Sequence, residues 1–150
     1  MSLMVATVMG VGYIPWAPGT FGSLVGLLIP LLLPVRGWAS LALLAGAAAA
    51  AIPPVSRAGG LLGCTDASAI VVDEVLGMWL TLWAVPLHWW TLLVGFLLFR
   101  LFDIVKPFPV GWLEARVPGG AGVLADDLAA GAMANGVLHL VVWAAVLHGG

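Results

Sequence analysis

The sequence contains 150 residues, of which 63% are hydrophobic and 8% are charged, whereas soluble domains carry about 25% charged residues. This composition excludes an ordinary soluble domain and predicts one integral membrane domain over residues 1–150. The formal net charge of −2 provides no basic surface for nucleic acid, and the single cysteine, Cys64, excludes an intramolecular disulfide. The first residues lack the basic segment of a signal peptide, so no cleaved targeting segment is expected.

The first predicted helix follows a stretch rich in Gly and Pro. The backbone is expected to turn over residues 10–20, and an apolar run then extends to about Pro34. Thr20 or Ser23 is the candidate N-cap of this helix, and the free N–H groups at such a helix start favour an anion such as phosphate. A capped membrane helix that packs through small residues fits the same pattern.

A second apolar run covers residues 38–52 and predicts the other arm of a helical hairpin. Arg36 lies between the two runs and marks the tip of this hairpin. Pro53 and Pro54 are expected to end the second helix, because proline removes a helical hydrogen bond and clashes with the preceding turn. Arg57 would then lie in a short loop.

The next polar group combines three carboxylates. Asp66 and Asp73 are seven residues apart, so they would share one face of a helix that covers both, and Glu74 lies about 100° further round. Paired acids at a helix start are often only a solvated first turn that the helix dipole favours. Here, however, apolar residues flank Asp73 and Glu74 on both sides, which argues against a solvated end.

The apolar run after these acids is predicted to fold back on itself. Pro86 and the aromatic residues that follow are typical of an interfacial turn, so we expect helices at about 67–85 and 88–105 with a tip at residues 86–90. This hairpin brings the acids to the same side as the charges after residue 99. Four of the five Lys and Arg residues fall on that side, which the positive-inside rule predicts to be cytoplasmic.

Most of the charged residues of the chain lie between residues 100 and 135. Arg100, Asp103 and Lys106 are spaced three apart on one helical stripe, and Pro107 is expected to end this helix. The stripe suits a salt-bridge ladder, and it equally suits a carboxylate for a metal beside two cations for phosphate. A Gly-rich loop is expected over residues 109–122.

The last apolar helix is expected to begin at a pair of acids. Asp126 and Asp127 would lie in its first turn, where carboxylates often only complement the helix dipole. Asn135 lies about two turns later and faces the same way as Asp127.

This topology predicts a cluster of carboxylates beside cations at one membrane face. Such acids repel one another unless a cation neutralises them, and an all-oxygen ligand set selects a hard ion, Mg²⁺ before Mn²⁺ or Ca²⁺. Neighbouring cations indicate an anionic substrate, for which phosphate is the usual choice. The predicted catalytic and metal-binding residues are Asp73, Glu74, Asp103, Asp126 and Asp127, with Asp66 as a sixth metal ligand. The predicted substrate-binding residues are Thr20, Ser23, Arg57, Arg100, Lys106, Arg116 and Asn135.

Other phosphatase chemistries lack their residues in this sequence. Cys64 is followed by Ile70 where a cysteine phosphatase needs arginine, and the three histidines (His88, His139 and His148) lie at the far tip or in the last helix. The D-x-D-x-T and D-G-x2-A-R boxes are also absent. Metal-assisted attack by water remains, with attack by an aspartate as the alternative, and the roles of ligand and base stay open among the carboxylates.

Four segments resemble the phosphatidylglycerophosphatase A family and occur in that family's order. They are APGTFGS (17–23), DASAIVVDEVLGMWL (66–80), FRLFDIVKPFPV (99–110) and GGAGVLADDLAAG (119–131) with the Ala134-Asn135 pair. The resemblance implies a Mg²⁺-dependent hydrolase that converts phosphatidylglycerophosphate to phosphatidylglycerol and phosphate. It also implies an all-helical, multi-pass protein of the bacterial inner membrane that takes its lipid substrate from the bilayer.

Other functional classes remain as alternatives. A non-catalytic ion or metal carrier would distribute its carboxylates through the membrane depth, whereas here they gather beside helix ends. A structural subunit would pair nearly every acid with Lys or Arg at helical spacing. Another lipid phosphate monoester could replace the substrate, and the sequence carries no signal of oligomeric state. The fold prediction is an all-α polytopic membrane bundle of helical hairpins with its charged site at the cytoplasmic interface.

Overall fold

The computed structural model describes residues 1–33, 35–63 and 67–148, and the regular elements in these ranges are all helical. This confirms the all-α prediction for the described part of the chain. The elements are α1 (Ser2–Ala6), a 3-10 helix (Val11–Tyr13), α2 (Pro18–Leu32), α3 (Gly37–Leu62), α4 (Val72–Thr81), α5 (Trp89–Val105), α6 (Val110–Arg116) and α7 (Gly119–His148).

Two of the described helices are long and apolar enough to cross a membrane. They are α3, with a mean hydropathy of 1.6, and residues Gly119–Leu147 of α7, with a mean hydropathy of 1.7. Large apolar side chains on both helices are exposed, among them Leu43 on α3 and Leu140 and Trp143 on α7. Contiguous exposed apolar surface of this kind is typical of contact with a membrane. The two helices therefore indicate a membrane association.

The short helix α4 lies at the centre of the bundle, between α2 and α7. Most of its residues are buried, including Leu76, Met78 and Thr81. Its backbone approaches α7 closely, because a Cβ atom on Gly131 would collide with the carbonyl oxygen of Gly77. Small residues at helix crossings permit such close contact in membrane proteins. This contact sets which residues of α7 lie beside which residues of α4.

The bundle has two ends that differ in composition. The first turn of α4, the last turn of α5 and the first turn of α2 lie at one end, which we call the charged end. The turn over residues 82–88 and Arg36, which precedes α3, lie at the other, which we call the tip end. The predicted second helix at about 88–105 is confirmed, since α5 covers Trp89–Val105, whereas the turn before it covers residues 82–88 and not 86–90.

The predicted start of α4 at residue 67 is wrong. The helix begins at Val72, because the backbone N–H of Val71 donates to the carbonyl of Ala6 and ties this segment to α1 at 2.9 Å. The helix also ends at Thr81, four residues before the predicted residue 85. Asp66, the predicted sixth metal ligand, lies outside the described residues.

The predicted end of the second helix at Pro53 and Pro54 is also wrong. Helix α3 continues through Pro53 and Pro54 to Leu62, so Arg57 is a helical residue and not a loop residue. The buried positions Ala51, Val55 and Ala58 keep the helical period across the proline pair, and their packing offsets the lost hydrogen bonds.

The predicted loop over residues 109–122 is wrong as well, because it contains α6 and the start of α7. Asp126 and Asp127 consequently lie about two turns inside α7 and do not open it. The glycines serve close packing here, since a Cβ on Gly120 would lie 2.7 Å from the Ile52 carbonyl oxygen of α3.

The predicted N-cap of α2 is wrong. Ala17 is the N-cap, with a left-handed backbone (φ 90°), and Pro18 occupies the first helical position. Thr20 and Ser23 therefore lie within the helix, and neither side chain caps it.

Candidate metal and phosphate site

Three carboxylates from two helices meet at the charged end. Asp73 and Glu74 lie in the first turn of α4, and Asp127 lies on α7 where the two helices cross. One carboxylate oxygen of each lies within 4.8 Å of the others, and we call these three residues the carboxylate cluster. Asp73 is 5% exposed and Asp127 is 4% exposed, so water solvates them poorly. The predicted convergence of the acids on α4 and α7 is confirmed for these three residues.

One oxygen of the cluster has no partner among the described residues. Glu74 Oε2 is buried and accepts no hydrogen bond. Buried carboxylate oxygens without a partner are rare, because a charged group loses its hydration on burial. Asp73 is only partly satisfied locally, since its Oδ1 accepts the backbone N–H of Glu74 at 3.0 Å. The Glu74 oxygen therefore indicates a place for a cation.

Electrostatics favours the same interpretation. Two like charges about 4 Å apart repel by about 4 kcal/mol at an effective dielectric constant of about 20. Asp103 also lies close enough to Glu74 and Asp127 to repel their charges. A bound divalent cation would convert this repulsion into attraction, and the all-oxygen donor set fits a hard ion such as Mg²⁺. The residues present thus fit the metal that the sequence predicts.

Arg100 lies between this cluster and the start of α2. Its Nη1 atom donates to Asp103 Oδ2 at 2.5 Å. A Cβ atom on Gly19 would lie 3.2 Å from Arg100 Nη1 and would collide with Glu74 Oε1. The backbone of Gly19 therefore borders both side chains. The positive end of the α2 dipole and the guanidinium together form an anion-attracting surface beside the carboxylates.

Lys106 supplies the second cation of the charged end. It follows α5 with a left-handed backbone (φ 48°), and its Nζ atom donates to Glu114 Oε1 at 2.6 Å and to Asp126 Oδ2 at 2.9 Å. Burial lowers the pKa of the Lys106 ammonium, but these two hydrogen bonds outweigh burial and raise the pKa above its ordinary value. Asp126 Oδ1 also accepts the backbone N–H of Asp127 at 3.0 Å, which connects Lys106 to the carboxylate cluster.

The predicted salt-bridge stripe of α5 is present only in part. Arg100 and Asp103 pair as expected, whereas Lys106 turns away from Asp103 to Glu114 and Asp126. The left-handed backbone at Lys106 redirects its side chain toward α6 and α7. Glu114 was not predicted as a site residue, because its contact with Lys106 depends on helix α6, which was predicted to be a loop.

The structure does not bring Ser23 or Asn135 to the surface of this site. The Ser23 hydroxyl is fully buried and donates to the Gly19 carbonyl at 2.7 Å. Asn135 Nδ2 donates to the carbonyls of Thr81 at 3.0 Å and Trp83 at 2.8 Å, near the C-terminal end of α4. Thr20, by contrast, lies in the first turn of α2, next to Gly19.

The two remaining predicted cations lie at the edge of the charged end. Arg116 lies with its guanidinium carbon 5.2 Å from the centroid of the Trp112 ring, and it lines a cavity of about 380 Å³ with Glu114 and Asp126. Arg57 is exposed on α3. Gly19 was not predicted as a site residue, although it lies within the APGTFGS motif, whose density of small residues signals a close backbone approach.

Comparisons of the chain with a family model and with two of its relatives give the same family name. Residues 4–142 match the family model described as phosphatidylglycerophosphatase A. The chain is 35% identical to phosphatidylglycerophosphatase A of Escherichia coli K12, over 92% of this chain and 81% of that protein. It is 35% identical to phosphatidylglycerophosphatase A of Haemophilus influenzae, over 85% of this chain and 80% of that protein. A Bacteroides thetaiotaomicron protein with the provisional name phosphatidylinositol-3-phosphatase is 36% identical, over 95% and 94% of the two chains. No solved structure matches the chain significantly.

Proposed function

Because this chain belongs to the phosphatidylglycerophosphatase A family, we propose that it hydrolyses the terminal phosphate monoester of phosphatidylglycerophosphate. The family consists of phosphoric monoester hydrolases, and the chain is therefore an enzyme of that class. The products would be phosphatidylglycerol, which stays in the membrane, and inorganic phosphate. The observation that carries this proposal is the buried carboxylate cluster with its unpartnered Glu74 oxygen, next to two cations.

Asp73, Glu74 and Asp127 would hold Mg²⁺ in this proposal. One carboxylate oxygen of each residue lies within 4.8 Å of the others, and Glu74 Oε2 has no partner within the described ranges. When bound, the ion supplies Lewis-acid stabilisation of negative charge on the phosphoryl group. In the described part of the chain, none of these three carboxylates forms an ion pair with Lys or Arg that would compete with the metal.

The cations beside the cluster would bind the phosphoryl group itself. Arg100 and Lys106 would donate hydrogen bonds to its non-bridging oxygens, where charge shifts during phosphoryl transfer. Asp103 and Asp126 fix the positions of these two cations through their ion pairs. The first turn of α2, with Gly19 and Thr20, would bind the outer phosphate oxygens through the positive helix end.

One carboxylate would also serve as the general base. As water attacks the phosphorus atom, its proton passes to a carboxylate oxygen, the bond to the glycerol oxygen breaks, and that oxygen takes up a proton. Asp103 and Asp126 are the candidates, because they adjoin the cluster but are not among its three members. The ion pair with Arg100 or Lys106 would hold the accepting oxygen in place.

The membrane arrangement belongs to the same proposal. We expect a multi-pass bundle in the bacterial inner membrane with the charged end facing the cytoplasm, in line with the positive-inside rule. Arg57, Arg100, Lys106 and Arg116 lie toward the charged end, whereas Arg36 lies at the tip end. The substrate headgroup would then reach the site from the interface while its acyl chains remain in the bilayer.

A second substrate class is favoured by one relative. The similarity to the Bacteroides protein with the provisional name phosphatidylinositol-3-phosphatase covers nearly the full length of both chains. A phosphatidylinositol phosphate also carries a phosphate monoester on a glycerophospholipid headgroup. The carboxylate cluster would act on it by the same chemistry.

The test is phosphate release by the purified full chain in mixed micelles. Phosphatidylglycerophosphate, phosphatidylinositol 3-phosphate and phosphatidic acid are supplied in turn, with Mg²⁺, with chelator, and with Mg²⁺ restored. We expect release from phosphatidylglycerophosphate that stops with chelator and recovers with Mg²⁺. Faster release from phosphatidylinositol 3-phosphate would establish the second substrate class. A folded protein that releases phosphate from none of the three lipids would contradict the proposal.

A further inference from the structure

An apolar groove runs along α3 toward the charged end. It has a volume of about 500 Å³, and its walls include Val5 of α1, Ala47, Ala50 and Pro54 of α3, and Leu76 of α4. Ala47 and Arg57 are ten residues apart, so the groove follows about 15 Å of the α3 axis. An apolar groove of this length along a helix suits a hydrocarbon chain that lies parallel to the helix.

The polar end of the groove carries an arginine, Arg57. Arg57 is the charged side chain among the described residues that line the groove, and Val72, which precedes Asp73 in the sequence, lines the same groove. Within the ranges that the structure describes, Arg57 takes part in no hydrogen bond or ion pair. By contrast, Arg100 and Lys106 are held by carboxylates, and Arg116 lies over Trp112. Arg57 is therefore available for an external anion.

We propose that this groove binds one acyl chain of the lipid substrate and that Arg57 binds the phosphodiester group that joins the glycerol backbone to the headgroup. The inference rests on the proposed function and assigns a second, non-reacting phosphate contact to it. Charge complementarity supports this occupant, because a glycerophospholipid presents an anionic phosphate directly above its apolar chains. The guanidinium at the mouth of an apolar groove matches that order of groups.

The two proposed substrate classes share the phosphate group that we assign to Arg57. Phosphatidylglycerophosphate and phosphatidylinositol phosphates differ in their headgroups, but both contain this phosphodiester, which the reaction leaves intact. Phosphatidic acid contains only a monoester, and diacylglycerol contains neither. Phosphatidic acid carries its phosphate at the same glycerol position, so a contact between Arg57 and the phosphate at that position would distinguish the three phospholipids from diacylglycerol, and it would persist in the product phosphatidylglycerol.

Lipid binding tests the phosphate contact without depending on hydrolysis. Acyl-labelled phosphatidylglycerol and diacylglycerol are titrated against the full chain in micelles, and fluorescence anisotropy gives both affinities. The wild type should prefer phosphatidylglycerol by about tenfold, which is the usual contribution of one charged hydrogen bond. Arg57→Gln should lose this preference and Arg57→Lys should keep part of it. Arg36→Gln, which removes a positive charge at the tip end, should retain the full preference.

The acyl groove is tested by a matched pair of substitutions on α3. Ala49 and Ala50 are both exposed, but only Ala50 lines the groove. Ala50→Phe should weaken the binding of both labelled lipids by about fivefold to tenfold through loss of apolar contact. Ala49→Phe should leave both affinities within twofold of the wild type.

The outcomes separate this inference from the proposed function. Hydrolysis by the wild type together with an unchanged lipid preference in Arg57→Gln would overturn the Arg57 assignment alone. Equal effects of the two phenylalanine substitutions would overturn the groove assignment. Preference that depends on Arg57 in a protein that hydrolyses no lipid phosphate would support the subsite and contradict the proposed function.

Discussion

The two ends of the bundle use polar side chains in opposite ways. At the tip end, polar groups are satisfied by the backbone of neighbouring helices. Asn135 donates to the carbonyls of Thr81 and Trp83, and the Trp83 indole N–H donates to the Gly37 carbonyl at 3.0 Å. The Asn135 contacts satisfy carbonyls at the C-terminal end of α4, where helical carbonyls lack partners of their own, and the Trp83 contact joins the turn after α4 to the first residue of α3.

At the charged end, α4 and α7 bury carboxylates that are not all satisfied by neighbouring groups of the described residues. The carboxylate cluster places three acids together, and Glu74 Oε2 has no partner in the described ranges. Such an arrangement costs stability in the absence of a cation, because buried like charges repel. The comparison indicates that the polar groups of the tip end stabilise the fold, whereas those of the charged end fit the binding and catalysis that we propose.

The largest expected effect comes from Asp127→Asn. This nearly isosteric change removes one charge from the carboxylate cluster and should lower kcat by about 10²-fold to 10³-fold, because metal ligation supplies several kcal/mol of transition-state stabilisation. Phosphate release from phosphatidylglycerophosphate measures the loss. The thermal midpoint in chelator should stay level or rise, since the change relieves repulsion. Wild-type release by a folded Asp127→Asn protein would place the active site elsewhere.

The next effect in size is expected for Lys106. Lys106→Met removes the cation that Asp126 positions and should lower kcat by about 10-fold to 10²-fold, as loss of one preorganised donor does. Glu114→Gln is the matched control, because it changes only the exposed partner of Lys106. We expect less than about a threefold effect from it. Equal losses in both variants would show that Lys106 acts only through its pairing with Glu114.

A smaller effect is expected where α2 borders the site. Gly19→Ala introduces a Cβ that would collide with Glu74 Oε1. The displaced carboxylate should reduce kcat by about tenfold, because small errors in the position of reacting groups are costly. Gly136→Ala is the control, since a Cβ there meets nothing within 4 Å. If both variants show the activity of the wild type, the first turn of α2 does not position Glu74.

The smallest effect on activity is expected at the tip end. Asn135→Ala leaves two carbonyls of the α4 end without a donor, which should lower the free energy of unfolding by about 1–3 kcal/mol. KM for the lipid should stay within twofold of the wild type. Denaturation in detergent and substrate titration give the two quantities. A large rise in KM with unchanged stability would restore the predicted role of Asn135 in substrate binding.

The sequence predicted the charged end well because charges are conspicuous in so apolar a chain. Asp73, Glu74 and Asp127 could be brought together from two features of the sequence alone, the turn signal at Pro86 and the apolar run that follows residue 127. Membrane energetics restricts where such residues can lie, and this makes their positions informative.

Other features depend on tertiary contacts that the sequence does not display. Helix α3 passes through Pro53 and Pro54 because Ala51, Val55 and Ala58 remain packed on the same face, which overrides the local preference. Asn135 looked like a site residue because a helical projection gives its direction but not its acceptors. The two carbonyls that it binds belong to the end of α4, which the predicted helix placed four residues too late.

Metal binding tests the central claim most directly. Mn²⁺, which shares the oxygen ligands of Mg²⁺, is titrated into the chelator-treated full chain and followed by its free-ion EPR signal. We expect saturable binding that Mg²⁺ displaces, at least about tenfold weaker in Asp73→Asn and Asp127→Asn, and unchanged in Asn135→Ala. Equal Mn²⁺ affinity in all four proteins, or no saturable binding to the wild type, would contradict the assignment of the carboxylate cluster as the metal site.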